Sequence, residues 1–356
     1  MANWIGLDIG TSGVRAAELT FCKHGPGCPE HQATLNKYGE VPLPHGAILD
    51  GEVVEQSSVV RAIKKLWDQT KFSHKNVLLG IANQRVTVRE IELPWLPLDE
   101  LRSSLDLHTA ELLPIPVSEA LLDFYATEEI ENATGKQVRG IFVGASRQMI
   151  ASNINAAEAA GLSPEGVDLI PFGLMRSLNP AQTGAATVAV IDVGARTTSV
   201  SILHHGQPRF IRILSAGGSD ITDRLSSLLQ VPPPEAEKFK HDLGMAYEAP
   251  EHLQEAAQAV IGVANNQIDQ IRSTLDFYAS AAGRSTGPVE LLMLTGRGSM
   301  LGGFGQYLSS ATRLPAMLGD PFVSVNAGRG GKSQANWASS QPQAAAAIGL
   351  AVGVAV

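Results

Sequence analysis

Two aspartates carry the chemistry of this sequence, each closing an apolar run and each followed two residues later by glycine. Asp8 ends Trp4-Ile-Gly-Leu-Asp and is followed by Gly10, Thr11, Ser12 and Gly13. Asp192 ends Val188-Ala-Val-Ile-Asp and is followed by Gly194, Thr197 and Thr198. Glycines let backbone N–H groups approach an anion closely, and hydroxyls donate to phosphate oxygens. A carboxylate repels phosphate, but it holds Mg²⁺ or the water shell of the ion, which bridges to phosphate. One such turn is a weak signal, because hairpins carry glycine simply to turn. The repeat gives it weight: Asp8 and Asp192 are equivalent, and two similar halves suggest a nucleotide clamped between them, with Mg²⁺ near both acids. Two plain hairpins with Asx-turn aspartates are the alternative.

The elements that must hold these turns follow from periodicity. Ile5, Leu7 and Ile9 alternate into the first turn and Val14 and Ala16 alternate out of it, a hairpin pattern. The spacing predicts a third strand over 33–40 and an amphipathic helix over 57–69. Strands over 77–82 and 86–93 read as a pair. A helix over 99–113 ends at Pro114 and Pro116, and strands near 120–128 and 138–144 precede a helix over 147–160 closed by Gly161. In the second half, Gly217-Gly218 leads to a helix over 223–229. Helices follow near 235–243 and 251–281, and a buried strand over 289–294 delivers Gly296, Gly298 and Ser299. The stretch 320–342 reads as a polar surface loop. Its Gly331-Lys332-Ser333 imitates the end of a P-loop, but Asn326 stands where that motif requires glycine. Cys22, His24, Cys28 and His31 offer zinc-type donors at a spacing that matches no standard finger, so an exposed turn is expected there.

Composition bounds the function class. The chain has 356 residues, more than one compact core needs, with 44% hydrophobic and 17% charged residues, as in a folded protein. Its net charge of −8, with no basic run, excludes nucleic acid as the main ligand. No signal peptide is read at the start. No apolar run reaches the roughly 18 residues of a spanning helix, and the closest, 344–356, reads as a buried terminal helix. Two cysteines fit a reducing compartment.

The order of motifs resembles the actin-like ATPase superfamily over the whole chain. Leu7-Asp8-Ile9-Gly10-Thr11-Ser12 is similar to its first phosphate motif, Ile191-Asp192-Val193-Gly194 to its second, and Leu294-Thr295-Gly296-Arg297-Gly298-Ser299 to its adenosine motif. Ala344 to Val354 resembles the connecting helix. Within the superfamily the sequence resembles the PilM family of type IV pilus assembly, with the division protein FtsA as a relative. That likeness rests on Arg89-Glu-Ile-Glu-Leu-Pro94, Glu111-Leu-Leu-Pro-Ile-Pro116, Val167-Asp168 and Arg272-Ser-Thr-Leu-Asp-Phe-Tyr278.

The resemblance implies an α/β, actin-like (ribonuclease H-like) fold of two duplicated lobes. Residues 1–76 would begin the first lobe (1A), 77–165 would form an inserted 1C-type subdomain, and 166–187 would return to 1A. Residues 188–342 would form the second lobe and 343–356 the connecting helix. It further implies ATP with Mg²⁺, bound through Asp8, Gly10, Thr11, Ser12, Asp192, Gly194, Thr197, Thr198 and Ser299. Gly217, Gly218, Gly296 and Gly298 would lie against ribose and adenine, and Arg272 along one of them. Asp8 and Asp192 would hold the metal through water. The implied partner is the N-terminal peptide of a PilN-like inner-membrane protein, seated in a groove between 1A and 1C with helix 99–113 as a wall. The implied role is a cytoplasmic scaffold at the inner membrane. It would reach the membrane through its partner, contact other pilus assembly or motor proteins, and could form a homo-oligomer.

Three departures qualify that picture. Arg196 stands where the superfamily typically has glycine, and can pair with phosphate or obstruct the site. Ile170 stands where a glutamate is usual, and Gln270 where one is frequent. Hydrolysis needs a group that orients and deprotonates water, so slow or absent turnover is expected, with Asp168 as a partial substitute. The rival readings are an FtsA-like polymerising membrane tether, an active ATPase or small-molecule kinase, and a type II secretion component. A basic amphipathic tail would mark the first and an adjoining transmembrane helix the last; neither is read here.

Overall fold

The opening alternation forms the expected hairpin, β1 (Ala2–Gly10) paired antiparallel with β2 (Gly13–Phe21), with Asp8 opposite Arg15. The structure, a computed structural model, describes residues 2–21, 33–132, 135–245, 249–281, 287–327 and 341–353. The Cys22–His31 segment and Gly331-Lys332-Ser333 lie outside these residues. β3 (Ala33–Pro42) extends the hairpin, followed by the short pair β4 (Ile48–Leu49) and β5 (Glu52–Val53), helix α1 (Gln56–Thr70) and strand β6 (Asn76–Ile81).

The chain then leaves this sheet. β7 (Thr87–Pro94), α2 (Leu98–Ser103), α3 (Leu105–Thr109), β8 (Ala120–Asn132) and β9 (Gly135–Ser146) build a separate three-stranded sheet, ordered β7-β9-β8, with two short helices. α4 (Arg147–Ala159) and β10 (Ser163–Leu169) return to the first sheet, and α5 (Ile170–Leu178) leads out of it.

The second lobe repeats the plan with β11 (Thr187–Val193), β12 (Thr198–His204), β13 (Gln207–Leu214), α6 (Gly218–Leu229), α7 (Pro233–Leu243), α8 (Gln254–Ala281), β14 (Leu291–Thr295), α9 (Phe304–Thr312) and β15 (Ala316–Leu318). β16 (Val325–Ala327) crosses back to pair with β3, and α10 (Gln341–Val352) closes the chain. The first sheet runs β10-β6-β1-β2-β3-β16 and the second β13-β12-β11-β14-β15. In each, an antiparallel hairpin with a third strand is joined by two parallel strands on the side of the first strand, and the first sheet adds β16, parallel to β3. Asp192 stands opposite Ser199 as Asp8 does opposite Arg15, so the duplication read from the turns extends to whole sheets.

Several boundaries differ from the sequence reading. The strand read at 77–82 pairs with β1 and β10, not with the strand after it. Its inner residues Val77, Leu79, Gly80 and Ile81 are buried, as in a central strand of a parallel set. α4 packs with α1 against the first sheet. The inserted sheet therefore spans Thr87–Ser146 rather than 77–165. The helix expected at 99–113 breaks at Ser104, whose hydroxyl donates to the Leu101 carbonyl (3.1 Å), a local competitor of helix bonding. α6 begins at Gly218, earlier than the expected 223, and the loop at 320–342 contains β16.

α10 lies between the lobes. It packs on β1, β2 and α5, and its buried alanines join two of the hydrophobic clusters. Contact with α5 is so close that a Cβ on Gly349 would collide with the Gly173 carbonyl. The inserted sheet is also tied to the second lobe: Ile141 joins the core beneath it, and Arg209 on β13 pairs with Glu128 at 2.9 Å.

Candidate functional site

The two hairpin turns face each other across the cleft between the lobes. They enclose a chamber of about 110 Å³ lined by Asp8, Gly10, Thr11, Ser12, Asp192, Gly194 and Thr197. This chamber shares Ser12, Gly194, Ala195, Arg297 and Gln343 with a larger cavity of about 500 Å³, lined by Gly218, Glu237, Lys240, Gln267 and Gly298. Fold and cleft together bring most of the sequence-predicted residues to one place.

The chamber brings two carboxylates together, with Arg15 beside one of them. Burial raises the pKa of Asp8, partly offset by Arg15, whose Nη1 lies 3.4 Å from its Oδ2. Asp192 is pushed up to about 7, first by burial and then by the charge of Asp8. No hydrogen-bond donor reaches the Asp192 carboxylate among the described residues. The oxygen donors of Asp8, Asp192, Thr11 and Ser12 suit a hard divalent cation such as Mg²⁺. Arg15 is the buried cation of the chamber, and its Nη2 donates to Ser12 Oγ and to Glu40 Oε1, both at 3.0 Å.

The glycines fit tightly around the second turn. Gly296 has φ +80°, and a Cβ there would collide with Asp192 Oδ1 and stand 2.5 Å from the Val193 carbonyl oxygen. A Cβ on Gly217 would collide with the Ala195 carbonyl. Gly217 caps α6, its N–H donating to Asp220 Oδ2 at 2.9 Å, and Gly218 N–H donates to the Gly194 carbonyl at 2.9 Å.

Three predicted residues stand apart. Thr198 is buried away from the chamber, donating to the Ala216 carbonyl (2.7 Å) and accepting from Gln267 Nε2 (2.8 Å). Thr197, in the turn just before β12, is the one of the pair that lines the chamber. Ser299 is buried, and its hydroxyl donates to the Gly296 carbonyl within its own turn (2.7 Å). Arg272 is exposed on α8 and pairs with Asp269 at 3.1 Å. It lies roughly 140° around the helix from Gln267, the residue of α8 that does line the cavity.

The departures also resolve. Ile170 lines the chamber and brings no carboxylate. Gln270 bonds Asn266 on its own helix (3.3 Å). Asp168, the suggested substitute, is held by Arg176 and by the Leu169 N–H and faces a different cavity. Arg196 lines the chamber, with its guanidinium on Asp220 and Asp223.

Sequence reasoning missed Arg15, Glu40, Glu237, Lys240, Gln267 and Arg297. Lys240 Nζ donates to Glu237 Oε2 (2.6 Å), Thr222 Oγ1 (3.0 Å) and the Gly218 carbonyl (3.1 Å), which sets a polar cluster at the larger cavity. Burial raises the Glu237 carboxyl, but hydrogen bonds from Lys240 and Thr222 outweigh it and leave it below the ordinary range. The Glu237/Lys240 spacing on one helix face was a readable signal.

A second cavity, about 230 Å³, separates the inserted sheet from the first lobe. Leu122, Phe124, Val143, Ile150 and Phe172 form its apolar walls, and Arg102, Asp123, Asp168 and Arg176 add charge. Tyr125 and Phe172 face each other there, with ring centroids 5.3 Å apart.

Duplicated sheets with facing Asp-x-Gly turns define an actin-like protein. The fold is similar to MreB5 of Spiroplasma citri bound to ADP, with TM-score 0.51 and 12% identity over 96% of this chain and 98% of that one. The model of the family described as type IV pilus assembly protein PilM matches residues 6–354, and the chain belongs to that family. It is similar to a solved chain of the PilM-PilN type IV pilus biogenesis complex, with TM-score 0.85 and 25% identity over 98% of this chain and 97% of that chain. Cell division protein FtsA of Bacillus subtilis is 21% identical over 270 residues, 68% of this chain. The match covers 58% of that protein's length.

Proposed function

We propose that this chain is a nucleotide-binding cytoplasmic scaffold of the type IV pilus inner-membrane assembly. The observation that carries the nucleotide reading is the pair of aspartates on facing turns, Asp8 buried and Asp192 half-buried without a hydrogen-bond donor among the described residues, beside the buried cation Arg15. Asp8 and Asp192 would hold Mg²⁺, and Arg15, Thr11, Ser12 and Thr197 would receive phosphates. Glu237 and Lys240 would meet the sugar, and the larger cavity would take the base. The ion, when bound, neutralises phosphate charge. Turnover is slow or absent, because Ile170 lines the chamber and Asp168 is occupied by Arg176.

The cavity between the inserted sheet and the first lobe would hold the N-terminal peptide of a PilN-like membrane protein. Its apolar walls suit alternate side chains of an extended segment. The likeness to a chain of the PilM-PilN complex supports this partner. Membrane association then comes through the partner; among the described residues no helix is long and apolar enough to cross a membrane.

Calorimetry with Mg-ATP, alongside phosphate release, tests the first half on wild type and Asp192→Ala. Binding lost in the variant, with negligible release, is expected; rapid release would instead make the chain a working ATPase. For the second half, Phe172→Ala should weaken anisotropy-detected binding of a PilN-type N-terminal peptide about tenfold, as loss of a buried aromatic contact implies. An unchanged Kd would move the peptide elsewhere.

A further inference from the structure

Arg196 stands in the second turn where Ser12 stands in the first, as residues 192 to 196 repeat residues 8 to 12. It lines the small chamber with the two aspartates, whereas its neighbour Ala195 lines both chamber and larger cavity. A nucleotide with its base in the larger cavity would thus bring its last phosphate toward Arg196.

We propose that Arg196 reads the terminal phosphate of a bound nucleoside triphosphate, and that Asp220 and Asp223 hold it aside otherwise; this rests on the nucleotide reading above. Arg196 Nη1 lies 3.2 Å from Asp220 Oδ1 and Nη2 lies 2.6 Å from Asp223 Oδ2. The same Nη2 lies 3.3 Å from Nε2 of His45, which belongs to the first lobe. These pairs are partly solvated, the arginine side chain being 28% exposed and the acids 37% and 39%, so they hold it weakly. A terminal phosphate offers a guanidinium two parallel bonds from a more highly charged acceptor.

Release strands neither acid. Asp220 keeps the Gly217 N–H at 2.9 Å, and His45 Nε2, 3.3 Å from both Asp223 Oδ1 and Arg196 Nη2, can donate to Asp223 once the arginine leaves. Each acid of the holding site thus has another donor within reach, which suits a side chain that moves between two positions. Arg196 departs from glycine without filling the chamber, since its guanidinium is drawn to α6.

Titration calorimetry with Mg-ATP and Mg-ADP on wild type, Arg196→Ser and Asp223→Asn tests this. Wild type should prefer ATP. Arg196→Ser should cut the ATP-to-ADP affinity ratio about tenfold, the worth of one charge-assisted hydrogen bond. Asp223→Asn, which keeps the arginine but weakens its hold, should raise that ratio. An unchanged ratio in both variants, or tighter ATP binding by Arg196→Ser, overturns the proposal while leaving the nucleotide reading intact. Wild type binding neither nucleotide overturns both.

Discussion

Asp192 should make the ligand-free protein less stable as pH rises. Its carboxyl moves from an ordinary value of 3.8 in the unfolded chain to about 7 in the fold, so the folded state holds the proton more tightly. Between these values the folded chain binds more protons than the unfolded one, so stability falls as pH rises through the window and is level above it. About three pKa units at about 1.36 kcal/mol each give about 4 kcal/mol as an upper figure. The carboxylate keeps some exposure to the cleft, which lowers the working figure to about 2 kcal/mol or somewhat more. Asp192→Asn keeps the shape and removes the titration. In EDTA without nucleotide, wild type and variant should unfold alike near pH 4. At pH 8 the variant should be the more stable by about 2–4 kcal/mol, read from urea midpoints at equal slope. Parallel pH profiles, or a variant weaker at pH 8, would refute the reasoning, because the buried charge would then cost nothing.

Two glycines give further tests. Gly296→Ala puts a methyl against Asp192 at a backbone angle that L-residues avoid, and should lower stability by about 2–3 kcal/mol and abolish Mg-ATP binding; a thermal melt and calorimetry would show both, and normal binding would mean that the turn can shift. Gly349→Ala, far from the chamber, forces α10 off α5 and should cost about 1–3 kcal/mol or more in denaturant unfolding. A wild-type midpoint would mean that the helices separate easily.

What is encoded locally could be read from the residues alone. An acid at the end of an apolar strand, with glycine two residues on, specifies a strand end and a tight turn wherever it stands, so Asp8, Gly10, Asp192 and Gly194 were readable and their repetition announced the duplicated lobes. The apolar C-terminal run likewise announced a buried helix. Tertiary structure decided whatever depends on which elements converge. Thr198 faces inward because strand side chains alternate and packing against α8 chose the face. Gln267 rather than Arg272 meets the cleft because the rotation of α8 is fixed by its apolar contacts with the second sheet. Arg15 became the chamber's cation through pairing register, opposite Asp8. Glu237 and Lys240 reached the cavity only because α7 packs beside α6. β6 left its expected partner because a mostly buried strand is more stable between two others, here β10 and β1, than at an edge, a comparison that only the assembled molecule makes.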